Sequence, residues 1–181
     1  MSADGPAPQS VDGEGSWVGA SFVSNAGAWR LLGVNPCLHL QRHEQDDCAA
    51  ALQSPGLTYA AAAQASPAVA LAQRYLGVPY LWRGADPSGF DCSGLVTYVL
   101  AQLGIWLRRT AAQQYAVCTP VPLAALAPGD LVFFGSSPET IHHVGIYVGG
   151  GAMLEAPCSG ALVRYDRLCG DLYGGGRPSQ Q

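Results

Sequence analysis

The hydrophobic period of this chain changes once after Cys92, and that change limits what it can fold into. From about Cys92, the apolar residues Leu95, Val96, Val99, Leu100 and Leu103 recur in steps of three and four and end at Gly104. That is one face of a helix. Beyond it the period shortens. "PGD" at 128–130 reads as a turn, "LVFF", "HVGIYV", "AMLEA" and "ALVRY" as strands, and "GGG" at 149–151 as a hairpin turn. Upstream, Ser66 and Pro67 form a cap followed by a proline at the first helical position, predicting a helix to about Leu76 that stops at Gly77. "VPYLW" (78–82) is a short extended piece. Helices followed by an antiparallel meander make an α+β domain, with helices packed on an antiparallel sheet.

The remaining segments are less regular. Residues 1–16 are rich in Gly, Pro, Ser and acid and read as a flexible leader. Residues 17–66 hold short apolar clusters, "WVGASFV" and "WRLLGV", then an alanine-rich stretch. They are expected to form two or three short strands and a linker, a small N-terminal module of unassigned role. The main domain is expected over 67–175, with a tail at 176–181. The chain has 181 residues, a net charge of −4 and no lysine, so it offers no basic stripe for nucleic acid. It has no run of 18 apolar residues to span a membrane. Its first residues lack the basic start and apolar core of a secretory signal.

The residues able to do chemistry centre on Cys92. A thiol of pKa about 8.5 is mostly protonated at neutral pH, and only the thiolate attacks carbonyls well. Two devices favour the thiolate: a place in the first turn of a helix, and an imidazolium partner. The chain has four histidines, His39, His43, His142 and His143, and the last pair opens a strand of the main domain. Alternation puts His142 with Val144, Ile146 and Val148 on a strongly apolar face, and His143 with Gly145 and Tyr147 on the other. Gly145 leaves room for a helix to approach, which favours His143 as the base, with His142 as the fallback. If "GGG" centres the hairpin near Gly149, Glu155 lies directly across from His143 and is placed to orient its ring. The pattern alone supports an ordinary exposed strand residue at 155 equally well.

Three stretches carry a family resemblance: "YLGVPYLWRGADPSGFDCSGLVTYVLAQLGI", "LAPGDLVFF" and "HHVGIYVGGGAMLEAP". Over roughly residues 67–168 they resemble, in order and spacing, the NlpC family of bacterial cell-wall cysteine peptidases. The resemblance implies a papain-like core, Cys92 as nucleophile and His143 as base. It puts the third, orienting position on Glu155, where the family more often has histidine. It implies that the Tyr80 hydroxyl lies near the nucleophile and helps stabilise the oxyanion, beside the Cys92 backbone N–H. Asp91 and Ser93 match residues that bind a substrate's free amino end in some relatives. Arg83 stands where the family usually has glycine and would meet a substrate carboxylate. Arg108, in place of a proline, reads as a surface arginine.

The function so implied is a cysteine endopeptidase that hydrolyses an amide of peptidoglycan stem peptides, at the γ-D-glutamyl–diamino acid bond. It would need no metal and no cofactor, and would act at the bacterial cell wall as a secreted, periplasmic or virion-associated protein. Two alternatives stand beside it. One is an N-acetylmuramoyl amidase or other Cys–His acyl-transfer enzyme. The other is a phage-tail or secretion-machine component, with assembly partners, that uses the domain for wall penetration or as scaffold. Cys37, His39, His43 and Cys48 lie within twelve residues, but their spacing is uncommon for zinc, which ranks below a Cys37–Cys48 disulfide and below two unbonded cysteines. Cys118, Cys158 and Cys169 read as bystanders, and Trp82 and Trp106 as core or cleft wall.

Overall fold

The computed structural model describes residues 20–25, 28–34, 64 and 66–179. The chain divides into two compact units, residues 1–39 and 40–181. In the first, strand β1 (Ala20–Asn25) pairs antiparallel with β2 (Ala28–Val34), with a bulge between Ser21 and Phe22. The leader at 1–16, most of the linker and the possible zinc or disulfide cluster at Cys37–Cys48 lie outside the described residues.

In the second unit, helix α1 (Pro67–Ala72) begins as its capping pair dictates, with the Ser66 side chain accepting from the Val69 N–H. It tightens into a 3₁₀ turn at Gln73–Tyr75 and ends before Gly77, whose φ of 84° few side chains tolerate. Two short strands, β3 (Ala85–Asp86) and β4 (Gly89–Phe90), lead directly into α2 (Cys92–Ala101). Its apolar residues Leu95, Val96, Val99 and Leu100 are fully buried, as their spacing requires. Gly104 follows with φ 75°. A third helix, α3 (Ala111–Tyr115), starts from a capping box in which Thr110 and Gln113 satisfy each other's backbone N–H.

The sheet has six strands in the order β5-β10-β6-β7-β8-β9, all antiparallel. They are β5 (Thr119–Val121), β6 (Leu131–Phe134), β7 (His143–Gly149), β8 (Ala152–Glu155), β9 (Arg164–Arg167) and β10 (Leu172–Arg177). The large core joins α1, α2 and α3 to Leu131, Phe133, Val144, Ile146, Val148 and Leu154. Burying side chains of this size contributes about 1.5–3 kcal/mol each. Val132, Phe134 and Met153 form a smaller cluster.

Three details of the sheet differ from the pattern expected. The β9 strand starts at Arg164 rather than Ala161, because residues 161–163 pair with the segment after α1: Tyr80 N–H donates to Ala161 O and Val163 N–H to Val78 O. The last strand, β10, runs to Arg177, two residues past the boundary expected at 175. In the β7–β8 hairpin all three glycines, 149 to 151, have left-handed φ (95°, 59° and 71°), but a bulge lies between Tyr147 and Gly149. The partners are Ile146↔Leu154 and Tyr147↔Met153, so Glu155 falls opposite Gly145 rather than His143. Because the displacement is two residues, Glu155 keeps the face of His143.

Candidate active site

The starts of two elements, α2 and β7, build the site. Cys92 is the first residue of α2, and Asp91 is its cap, accepting from the Gly94 N–H at 2.7 Å. The turn is set by close backbone packing, since a Cβ on Gly94 would stand 2.0 Å from Gly84 O. The Asp91 N–H in turn donates to that Gly84 oxygen. Arg109 adds two charged bonds to Asp91, Nη1 to Oδ1 at 2.9 Å and Nη2 to Oδ2 at 2.6 Å, and another to Ser93 Oγ at 2.9 Å.

His143 opens β7 and is buried, its ring hydrogen-bonded to Glu155 and close enough to Cys92 for that residue's charge to raise its pKa. Glu155 ends β8, as buried as His143. On a two-residue diagonal its longer side chain still spans to the ring. Burial alone would push the His143 pKa down, but the charges of Glu155 and then Cys92 outweigh it and hold the imidazolium well above its usual range. Burial likewise works against the Glu155 carboxylate, yet the His143 charge and hydrogen bond keep its pKa below the ordinary value. Buried and opposite in charge, the pair is an imidazolium–carboxylate.

Tyr80 is half-buried near Cys92 and Asp91. Burial, then the charges of those two residues, push its phenol up to about 12 against the opposing pull of Arg109. It therefore remains a hydrogen-bond donor at neutral pH. Arg83 is exposed and holds φ at 64°, the single non-glycine residue with positive φ among the described residues. It occupies a backbone conformation that suits the glycine usual at this place.

Several readings made from sequence change here. His142 is exposed and paired with Asp171 at 2.8 Å, away from the thiol. The room expected at Gly145 is not used by a helix, because Met153 Sδ would stand 2.7 Å from a Cβ there. The helices instead pack into the core with Val144, Ile146 and Val148. Asp91 and Ser93 are buried, with their side chains bonded to Arg109, to each other and, for Asp91, to the Gly94 N–H. Trp82 and Trp106 are 74% and 75% exposed, which removes the core reading. Cys158 and Cys169 are each disulfide-bonded, while Cys118 is free and buried. Among the described residues no group of His, Cys, Asp and Glu could hold a metal ion. Arg109 and Asp166 escaped the sequence reading. Arg109 precedes a visible capping box, but its partner lies 18 residues away. Asp166 matters only once the β9 register is known.

Comparison with known proteins agrees with this architecture. The chain is 49% identical over 106 residues to the probable endopeptidase p60 of Listeria seeligeri, covering 59% of this chain and 20% of that protein. It is 41% identical over 101 residues to the gamma-D-glutamyl-L-lysine dipeptidyl-peptidase of Bacillus subtilis, covering 55% and 34%. The NlpC/p60 domain of the peptidoglycan hydrolase SagA superposes with a TM-score of 0.54 at 34% identity, covering 63% of this chain and 96% of that one. The chain thus spans only 20% and 34% of the two curated relatives, and what it shares with them is one α+β, papain-like domain. Through residues 77–174, which match the family from just after α1 into the last strand, this chain belongs to the NlpC/P60 family.

Proposed function

We propose that the chain is a cysteine peptidase that hydrolyses an amide of peptidoglycan stem peptides, with Cys92 as nucleophile, His143 as acid and base, and Glu155 as the group that orients His143. One observation carries the reading: a buried imidazole, within electrostatic reach of the Cys92 thiol at the start of α2, is hydrogen-bonded to a buried carboxylate. That is the arrangement a thiol nucleophile needs. The Cys92 sulfur attacks the carbonyl carbon, and the oxyanion that forms is met by the Cys92 backbone N–H and the Tyr80 hydroxyl. Collapse breaks the C–N bond while His143 gives its proton to the departing amine. Neutral His143 then takes a proton from water, whose oxygen displaces the sulfur. The acid product leaves, and thiolate and imidazolium are restored.

The γ-D-glutamyl–diamino acid bond is the preferred substrate bond, supported by the name of the Bacillus subtilis relative. The domain expected over 67–175 carries the reaction, and Arg83, exposed in its strained turn, would meet a substrate carboxylate. Action outside the cytoplasm, at the cell wall, is supported by the disulfide-bonded Cys158 and Cys169. No helix among the described residues is long and apolar enough to cross a membrane. The test is mass spectrometry of products from defined muropeptides. The full chain should release a new γ-D-glutamyl carboxyl terminus, and Cys92→Ala, still folded by circular dichroism, should release none. Undiminished cleavage by that variant overturns the reading.

A further inference from the structure

Glu155 has a second polar neighbour besides His143. Asp166, on β9, stands close enough to Glu155 for each carboxyl to shift the pKa of the other. The pairing of β8 with β9, Met153↔Asp166 and Glu155↔Arg164, makes the two acids diagonal neighbours on one face. Two carboxyl groups set side by side and largely out of water resist carrying two negative charges, so one of them carries a proton. Glu155 faces the His143 imidazolium and is held to its charged form. The proton therefore belongs on Asp166.

We propose that Asp166 is a positioning residue, whose protonated carboxyl donates a hydrogen bond to Glu155 and so holds it against the His143 ring. The inference rests on reading Cys92, His143 and Glu155 as the working groups. The charged and titratable groups facing Asp166 are Glu155 on β8, His143 beyond it on β7, and Arg164 on its own strand, whose Nε donates to Asp166 Oδ2 at 2.6 Å. Burial first, then the bond to Glu155 and its charge, push Asp166 up to about 7, with Arg164 opposing. Below that pH the acid is a donor. Above it the proton leaves to solvent, which reaches the Asp166 side chain (27% exposed) far better than Glu155 (6%). Two carboxylates then repel, Asp166 keeps only its bond to Arg164, and Glu155 loses its donor and is no longer fixed. The site would thus work best at neutral to mildly acidic pH.

The experiment is a pH profile of kcat and KM on a defined stem peptide for the full chain, Asp166→Asn and Asp166→Ala, with Cys92→Ala as control. The wild-type kcat should fall about threefold in a step centred near pH 7, well before the limb set by His143 itself. Asp166→Asn, whose amide donates but does not titrate, should lack the step. Asp166→Ala should lower kcat about tenfold at every pH with little change in KM. The His143 ring resonances should show an inflection near pH 7 in the wild type and none in Asp166→Asn. Superimposable wild-type and Asp166→Asn profiles, in both kcat and the ring resonances, overturn the proposal, and the asparagine variant decides it even where the alanine variant fails to fold. Failure of the parent reading looks different: Cys92→Ala would then still cleave.

Discussion

Arg109 grips the carboxylate of Asp91 with both outer guanidinium nitrogens, at 2.9 and 2.6 Å, one residue ahead of Cys92. The Asp91 oxygen that caps α2 through the Gly94 N–H is also one of the two that Arg109 holds. The mouth of the helix is therefore fixed by an ion pair that spans 18 residues of sequence. Arg109→Leu leaves a buried carboxylate with its cap bond and a longer one from Ser93 Oγ. Removing one partner of a fully buried pair costs about 3–5 kcal/mol, and with Arg109 40% exposed the expected loss is nearer about 1–2 kcal/mol. Urea denaturation should show a lower midpoint with an unchanged slope, and an unmoved midpoint would refute the pairing.

Thiol labelling separates the two free cysteines among the described residues. Burial, and then the charge of Asp130, push Cys118 up to about 11, and it lies closed in the core. It should resist iodoacetamide at pH 8 in the native state. Cys92 is partly exposed at the helix mouth. Peptide mapping should find the label on Cys92 and not on Cys118, and in Cys92→Ala the Cys118 peptide should stay unlabelled. Comparable labelling of Cys118 would contradict the packing around it.

Glu155→Gln tests the charge behind the imidazolium. The carboxylate helps to keep the His143 pKa raised, so the protonated ring persists as pH rises until that raised value is passed. With glutamine the ring keeps a hydrogen-bond partner but loses the charge, and its proton should leave at lower pH. The final alkaline limb of kcat should move to lower pH, with the plateau reduced about tenfold or more. A limb that stays put would show that Glu155 does not set the state of the ring.

Arg83→Gly should make the protein more stable and a poorer enzyme. A side chain in the left-handed region costs roughly 1–2 kcal/mol, partly offset by the greater freedom of glycine in the unfolded chain. The expected gain is about 0.5–1 kcal/mol in thermal denaturation. If the arginine meets a substrate carboxylate, KM should rise severalfold for free-acid stem peptides and hardly change for amidated ones. Equal effects on both substrates would remove the recognition role.

The helices and the middle of the sheet were legible because their burial is regular. Leu95, Val96, Val99 and Leu100 on α2, and Val144, Ile146 and Val148 on β7, are fully buried at the spacing their periods predict, and the Pro-Gly and Gly-Gly-Gly turns mark where the chain reverses. The strand β10, "LYGGGR", was not legible, because glycine runs read as loop. It lies between β5 and β6, and a Cβ on Gly175 or Gly176 would meet Leu126 Cδ2 at 2.6 Å or Cys118 Cβ at 2.8 Å. There glycine serves tight packing. Alternation singles out His143, the histidine that is bonded to Glu155, but does not give its face relation to the helix. Glu155 was found through a register two residues from the true one. Arg109 and Asp166 were out of reach because each depends on a contact between distant segments.

The bulge between Tyr147 and Gly149 leaves a mark on how this hairpin can vary. An even change in the offset between its strands leaves the acid and the ring on a common side, where a flexible side chain can make up the distance. An odd change would turn the carboxylate through the sheet and strand it among aliphatic neighbours. Loop growth at this tip should therefore come in pairs of residues, or with a compensating irregularity in the adjoining strand.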